Sequence, residues 1–184
     1  MHNILIFSGS ARQGNYTQHV ANFVLEVATQ NPEIHAEVVS PQSLGLNFDD
    51  EGTQAKYPEL TAKVAAADAF IIVTPEYNSG YPGSLKYMLD LHLKEYIHKS
   101  VAFVGVSGGS FGGVRVVESL LPVVRELGLV ATFNDVNVTK VDKEMENGVF
   151  IDPAPWERRV KRLLKELLWM SQVLKEGREK AEVK

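Results

Sequence analysis

Three apolar runs constrain this chain more than anything else in it. NILIF (Asn3–Phe7), AFIIVT (Ala69–Thr74) and SVAFVGV (Ser100–Val106) hold almost no polar residue, and each breaks off into glycine, serine or asparagine. A strand with one face in water alternates polar and apolar residues. A short continuous apolar run reads instead as a strand covered on both faces. Between these runs the period changes to that of a helix. Val20, Phe23, Val24 and Val27 recur at helical spacing, and PELTAKVAAAD (Pro58–Asp68) opens on a proline suited to a first helical position. PGSLKYMLDLHLKEY (Pro82–Tyr96) opens on Pro and Gly, and VRVVESLLPVVRELG (Val114–Gly128) ends on glycine. Pro122 is expected to kink or divide the last of these helices. EIHAEVVS (Glu33–Ser40) alternates, as a strand further from the sheet centre does, and LVATFNDVNVTKV (Leu129–Val141) reads as a fifth strand. After Trp156 the positions Val160, Leu163, Leu164, Leu167, Val173 and Leu174 form an amphipathic closing helix that begins near residue 154. Residues 40–57 read as a long polar surface loop.

Buried strands that alternate with helices imply an α/β fold with a parallel sheet between two helical layers. With right-handed crossovers the sheet is doubly wound, and five strands fit the flavodoxin-like order 2-1-3-4-5. The 184 residues suit one domain spanning 1–184. The 19 Lys and Arg against 23 Asp and Glu leave a net charge of −4, which makes nucleic acid a poor candidate partner. Without cysteine, disulfides, thiolate metal sites and Cys nucleophiles are excluded. The N-terminal MHNILIF lacks the pattern of a secretory leader, and no apolar run approaches the roughly 18 residues of a membrane span. The expectation is a cytoplasmic protein with no membrane span.

In such sheets, ligands bind beyond the carboxyl ends of the strands. Three loops leave those ends here: SGSARQGNYT (Ser8–Thr17), TPEYNSGYPG (Thr74–Gly83) and GVSGGSFGG (Gly105–Gly113). The first leads into a helix, whose N-terminus offers unpaired N–H groups and a partial positive charge. Its glycines permit close backbone approach, the hydroxyls of Ser8, Ser10 and Thr17 add neutral donors, and Arg12 adds a charged fork. Together these suit one terminal phosphate monoester. The loop is neither a nucleoside-triphosphate loop nor a G-x-G-x-x-G dinucleotide turn. The plainer alternative is a helix cap by Asn15 beside a solvated Arg12. In the second loop Tyr77 and Tyr81 can flank a flat heterocycle, beside Asn78 and Gly80. In the third, four glycines in seven residues let bare backbone lie against a ring.

GSARQGNYT, PEYNSGYPGSLKYMLD and GVSGGSFGGVR resemble the signature loops of the NADPH-dependent FMN reductase family, which includes flavodoxin-like quinone, chromate and azo-dye reductases. The resemblance spans residues 3–140, and the middle motif is the most specific, with Pro75, Glu76, Tyr77, Asn78, Pro82, Gly83, Leu85, Lys86 and Asp90 in register. It implies that Ser10, Arg12, Asn15, Tyr16 and Thr17 hold the FMN phosphate. It further implies that Pro75, Glu76, Tyr77 and Asn78 meet the isoalloxazine, and that Ser107, Gly108 and Gly109 lie at the ring's other edge. The chain departs from the family pattern at Asn15, commonly Ser, at Thr17, commonly Asn, and at Tyr87, commonly Asn. The implied activity is hydride transfer from NADPH or NADH to bound FMN and on to a small acceptor: a quinone, a flavin, an azo compound or a metal oxyanion. Chemistry carried by FMN needs no protein nucleophile, so no catalytic acid or base and no metal ligand is expected. His2, His19, His35, His92 and His98 are scattered outside the three loops.

Two other readings compete. A non-enzymatic FMN electron carrier shares the loops, although such carriers are usually more acidic than this chain. A serine hydrolase could use Ser107, since Gly105, Ser107 and Gly109 fit a Gly-x-Ser-x-Gly elbow, but it lacks a histidine late in the chain. The helices Pro82–Tyr96 and Val114–Gly128 carry more apolar positions than one sheet face absorbs. Together with the resemblance, this suggests a homodimer in which these helices meet their symmetry mates, with a tetramer as a further step.

Overall fold

The computed structural model describes residues 1–46 and 57–180. Strands β1 (His2–Ser8), β2 (Ile34–Val39), β3 (Ala69–Pro75) and β4 (Ser100–Val106) form a parallel sheet in the order β2-β1-β3-β4. Its outer side is completed by two short strands, β5 (Val130–Ala131) and β6 (Val136–Val138). Both pair with β4, β5 through Ser100 and Val101 and β6 through Val104–Val106, so they share one edge. The expected sheet order therefore holds, but the fifth strand is split. Between its halves, Glu166 accepts the backbone N–H groups of Phe133 and Asn134 and the Asn134 side-chain amide. A carboxylate thus satisfies donors that would otherwise need a strand partner.

Among the described residues six helices flank the sheet: α1 (Tyr16–Thr29), α2 (Pro58–Ala66), α3 (Gly83–Asp90), α4 (Val114–Glu126), the single turn α5 (Val141–Glu144) and α6 (Pro153–Lys180). A hairpin, β7 (Met145–Glu146) with β8 (Val149–Phe150), precedes α6. It turns through Asn147 and Gly148, both at positive φ, as an Asn-Gly hairpin turn requires.

The pleat of the strands divides the core. Ile4 and Ile6 face one helical layer, packing with Val20 and Val24 of α1 and Leu163 and Leu167 of α6. Leu5 and Phe7 face the other, with Leu60 of α2, Met88 of α3 and Leu120 of α4. That is why β1, β3 and β4 carry apolar residues at successive positions. Each such side chain, fully removed from water, contributes roughly 1.5–3 kcal/mol.

Three helix expectations need correction. Of the kink or division expected at Pro122, the division does not occur: α4 runs through it as one helix. Pro122 lies on its solvent-facing side, where the carbonyl it leaves unbonded can turn to water. α3 ends at Asp90 instead of continuing to Tyr96, because His92 and Tyr96 are drawn into the core through turns bonded to Leu89 O and Leu93 O. Val173 of α6 is exposed, since the contact face at that level passes to Ser171. Of the expected 40–57 loop, residues 47–56 lie outside the described residues.

Candidate active site

The loops after β1, β3 and β4 meet at the carboxyl end of the sheet around a cavity of about 550 Å³. Arg12, Asn15, Tyr16 and Thr17 line one part of it, Pro75, Glu76 and Tyr77 another, and Ser107, Gly108 and Gly109 a third. Ten of the twelve residues singled out from sequence thus stand around one space. Ser10 and Asn78 are not among its lining residues. Ser10 is fully buried; its Oγ lies 3.1 Å from the Tyr77 hydroxyl and accepts the Arg12 N–H at 3.3 Å. It ties the first loop to the second. Asn78 sits exposed at the tip of a turn, at φ +52, that closes through paired backbone hydrogen bonds between Tyr77 and Gly80.

The first loop is arranged around its helix start. Asn15 Oδ1 accepts the Gln18 N–H at 2.8 Å, and its Nδ2 donates to Arg12 O at 2.5 Å. Asn15 therefore acts as the N-cap, and the same side chain fixes the backbone at Arg12. The N–H groups of Tyr16 and Thr17 precede any intrahelical acceptor and stay free for a ligand. The Arg12 guanidinium carbon lies over the Tyr77 ring, 4.1 Å from its centroid. Among the described residues no carboxylate lies within ion-pair distance of it, so its donor fork is unspent.

Across the cavity, Arg115 Nε donates to Glu76 Oε1 at 2.9 Å, joining the second loop to the first turn of α4. The Arg115 guanidinium also faces the ring of Phe111, which stands exposed at the rim. Glu76 Oε2 is buried and has no hydrogen-bond partner among the described residues, so an acceptor in the cavity wall awaits a donor.

The third loop folds back on its own strand. A methyl group at Gly105 would run into the Gly112 carbonyl, and Gly113, at φ +78, sits against Gly105 Cα. Only glycines allow so close an approach of two backbones. The loop is pinned from outside: Ser107 N–H donates to Val138 O, Val141 N–H to Ser107 O, Lys140 N–H to Gly109 O, and Asn137 Nδ2 to Gly112 O. Ser107 Oγ donates to Gly109 O, a bond that spends the hydroxyl proton within the loop. The side-chain hydrogen bonds of His2 and His92 go to Ser171 and Thr61, outside the cavity's lining residues. Among the described residues no cluster of His, Asp or Glu is suited to a metal ion.

Gln13, Gly14, Val106, Phe111, Arg115 and Val141 also line the cavity and were not singled out from sequence. Phe111 and Arg115 fall within the GVSGGSFGGVR motif, so their signal was present. Val141 had none; the return from β6 brings it to the wall.

The residues fit a phosphate monoester joined to a flat heterocycle. Free N–H groups and a guanidinium stand at one end, and a side-chain-free glycine wall and the unpartnered Glu76 oxygen stand at the other.

Comparison with known proteins points the same way. The chain is 29% identical over 118 residues to the NADPH azoreductase of Bacillus sp. (strain OY1-2), covering 64% of this chain and 65% of that protein. It is 32% identical over 120 residues to an NAD(P)H-dependent FMN reductase of Schizosaccharomyces pombe, covering 60% of each. The chain thus spans less than two thirds of the length of these relatives. The fold is shared with FerB, a flavoenzyme NAD(P)H:(acceptor) oxidoreductase from Paracoccus denitrificans, at a TM-score of 0.76 and 17% identity, covering 94% of this chain and 98% of that one. A family model described as NADPH-dependent FMN reductase matches residues 2–142, which take in all three cavity loops, and on that match the chain belongs to the NADPH-dependent FMN reductase family.

Proposed function

We propose that this chain is an FMN-dependent NAD(P)H oxidoreductase that passes reducing equivalents from a nicotinamide to a small acceptor such as a quinone, flavin, azo compound or metal oxyanion. The observation that carries the reading is Arg12: a guanidinium without a carboxylate partner among the described residues, placed over the Tyr77 ring beside the start of α1. FMN, when bound, supplies the hydride acceptance and donation. This chain's residues bind and orient it. Arg12 and the N–H groups of Tyr16 and Thr17 hold the phosphate, and Ser10 holds Tyr77 and the Arg12 backbone in place from behind. Pro75, Glu76 and Tyr77 border the ring, with Asn78 shaping the turn that carries them. Ser107, Gly108 and Gly109 present backbone to the ring's other edge. No side chain acts as catalytic acid, base or metal ligand in this reading.

The reading extends to a cytoplasmic homodimer. Among the described residues no helix is long and apolar enough to cross a membrane. Val114 and Leu121 of α4 and Leu93 and Ile97 beyond α3 remain exposed, an apolar surface that a second copy could cover. Light scattering of the FMN-loaded protein should give twice the 20.4 kDa chain mass, and a fully active species at the single-chain mass would refute the dimer.

The principal test is direct. Protein reconstituted with FMN should retain flavin absorbance after desalting and should oxidise NADPH steadily with a small quinone. Retained flavin without turnover would favour an electron carrier, and no retained flavin would overturn the reading.

A further inference from the structure

A second cavity, of about 470 Å³, opens beyond β6 at the outer edge of the sheet. Its walls are Asp135 and Asn137 from the strand side and Pro155, Arg158, Arg159 and Arg162 from the first turns of α6. The charge pattern along α6 sets this cavity apart. Lys161 is paired with Glu157, Lys175 and Arg178 with Asp68, and Lys180 with Glu176. Glu166 is occupied by Phe133 and Asn134. Among the described residues the three arginines of the cavity have no carboxylate within ion-pair distance. Arg159 is held in place, its guanidinium 4.6 Å from the centroid of the Trp156 ring, and the Trp156 indole is itself fixed by donating to Glu144. The carboxylate in the cavity wall, Asp135, has its pKa raised to about 6 by burial and by Glu118 and Glu166.

One hydrogen bond links the wall of this cavity to a loop of the first, although the two have no lining residue in common. Asn137 donates to Gly112 O, and Gly112 belongs to the loop whose Gly108, Gly109 and Phe111 border the active-site cavity. Strands in a sheet lie about 4.8 Å apart, so a site beyond β6 is offset from β3 across the sheet by two to three strand spacings, roughly 10–15 Å. That separation is within the span of a dinucleotide.

We propose that Arg158, Arg159 and Arg162, with Asn137, bind the 2′-phosphate on the adenosine half of NADPH while its nicotinamide lies in the first cavity. NADPH differs from NADH only in that phosphate. A phosphomonoester carries about −1.5 to −2 charges at pH 7, and planar guanidinium forks bind its oxygens bidentately. The ligand identity rests on the oxidoreductase reading above; the unpaired arginine cluster does not.

The test uses FMN-loaded protein in rapid mixing, reading the apparent Kd for NADPH and for NADH from flavin bleaching. The double variant Arg158→Ala/Arg162→Ala is expected to bind NADPH roughly ten- to a hundred-fold more weakly, and to lose far less with NADH. Lys165→Ala, one turn on but outside the cavity, controls for loss of general positive charge and should change neither. A second measurement is independent of turnover. Adenosine 2′,5′-bisphosphate, 5′-AMP and inorganic phosphate are titrated against tryptophan emission, with Trp156 beneath Arg159 as reporter. The bisphosphate should bind tightest, and the double variant should abolish that preference. Equal losses of NADPH and NADH, or no loss, overturn the proposal. So does inorganic phosphate binding as tightly as the bisphosphate. Tight bisphosphate binding by a protein that oxidises no NADPH would uphold the arginine site and refute the oxidoreductase reading instead.

Discussion

The two ends of the same strands treat charge in opposite ways. At the amino ends, Asp68 accepts the Asn3 N–H at 3.0 Å and pairs with Lys175 at 3.1 Å. Lys99, almost wholly buried, donates to Val64 O and Ala65 O at the end of α2, and Arg178 donates to His98 O. Burial, and secondarily Arg178, lowers the Lys99 ammonium to about 8, yet its hydrogen bonds are made within the chain. At the carboxyl ends, Arg12 keeps its fork free, Arg115 spends only its Nε on Glu76, and Glu76 Oε2 lacks a partner. Charges at one end are satisfied by the fold, and those at the other wait for something outside it. The first arrangement stabilises the chain and the second leaves room for a ligand, so substitutions should separate stability from binding.

The largest effect should come where one change touches both properties. Gly105→Ala forces the β4 backbone off the Gly112–Gly113 segment and moves the glycine wall of the cavity. Overpacking of this kind costs about 1–3 kcal/mol, and here the clash is with backbone, which puts it at the upper end or beyond. Denaturant unfolding should show that loss together with weakened FMN binding; a variant with wild-type stability would mean that the loop can move away freely.

Asp68→Ala should follow, at about 2–3 kcal/mol, since it strips an N–H and a lysine of a nearly buried partner. FMN affinity of the surviving folded protein should stay at the wild-type value. A drop in FMN affinity equal to that of an Arg12 variant would erase the contrast between the two ends.

Arg12→Ala should do the reverse. FMN affinity should fall roughly ten- to a hundred-fold, as the loss of a charge-assisted contact of about 1.5–3 kcal/mol implies. The stability of the FMN-free protein should change by less than about 1 kcal/mol, the scale of an exposed cation–π contact. Unchanged FMN titrations would remove the phosphate-cradle reading.

The smallest effect is at Asp135. Its carboxyl, raised to about 6 chiefly by burial, binds a proton in the folded chain where the unfolded chain, near 3.8, does not. Stability should therefore fall as pH rises from about 4 to 6. Asp135→Asn should remove that slope, with a gain in Tm above pH 6 that vanishes below pH 4. A gain of equal size at both pH values would point to packing instead of charge.

Much of the site was legible because its loops are local signals. A hydroxyl-rich, glycine-containing turn between an apolar run and a helix needs no tertiary information to suggest an anion cradle. The Pro-Glu-Tyr-Asn stretch and the glycine loop carry family-specific spacing. What the loops do not reveal is which side chains turn inward. Ser10 reads as a phosphate donor, yet it is buried and tied to Tyr77 and Arg12, because the first loop packs directly on the second. Asn15 reads as either cap or ligand; its amide is spent on the cap and on Arg12 O.

The sequence by itself determined the layers. A run such as NILIF has no polar face to show to water, so it is buried on both sides, and three such runs with helices between them leave a doubly wound parallel sheet as the economical arrangement. The place where the loops converge follows from that topology. The tertiary structure alone decided the pairings between distant residues: Arg115 with Glu76, Glu166 with the gap between β5 and β6, Val141 at the cavity wall, and three unpaired arginines against the sheet edge. Local period reports which face of an element is apolar. It carries no information about which polar group from a distant part of the chain will face it, because that depends on the crossing of elements and the direction of each side chain once the core has closed.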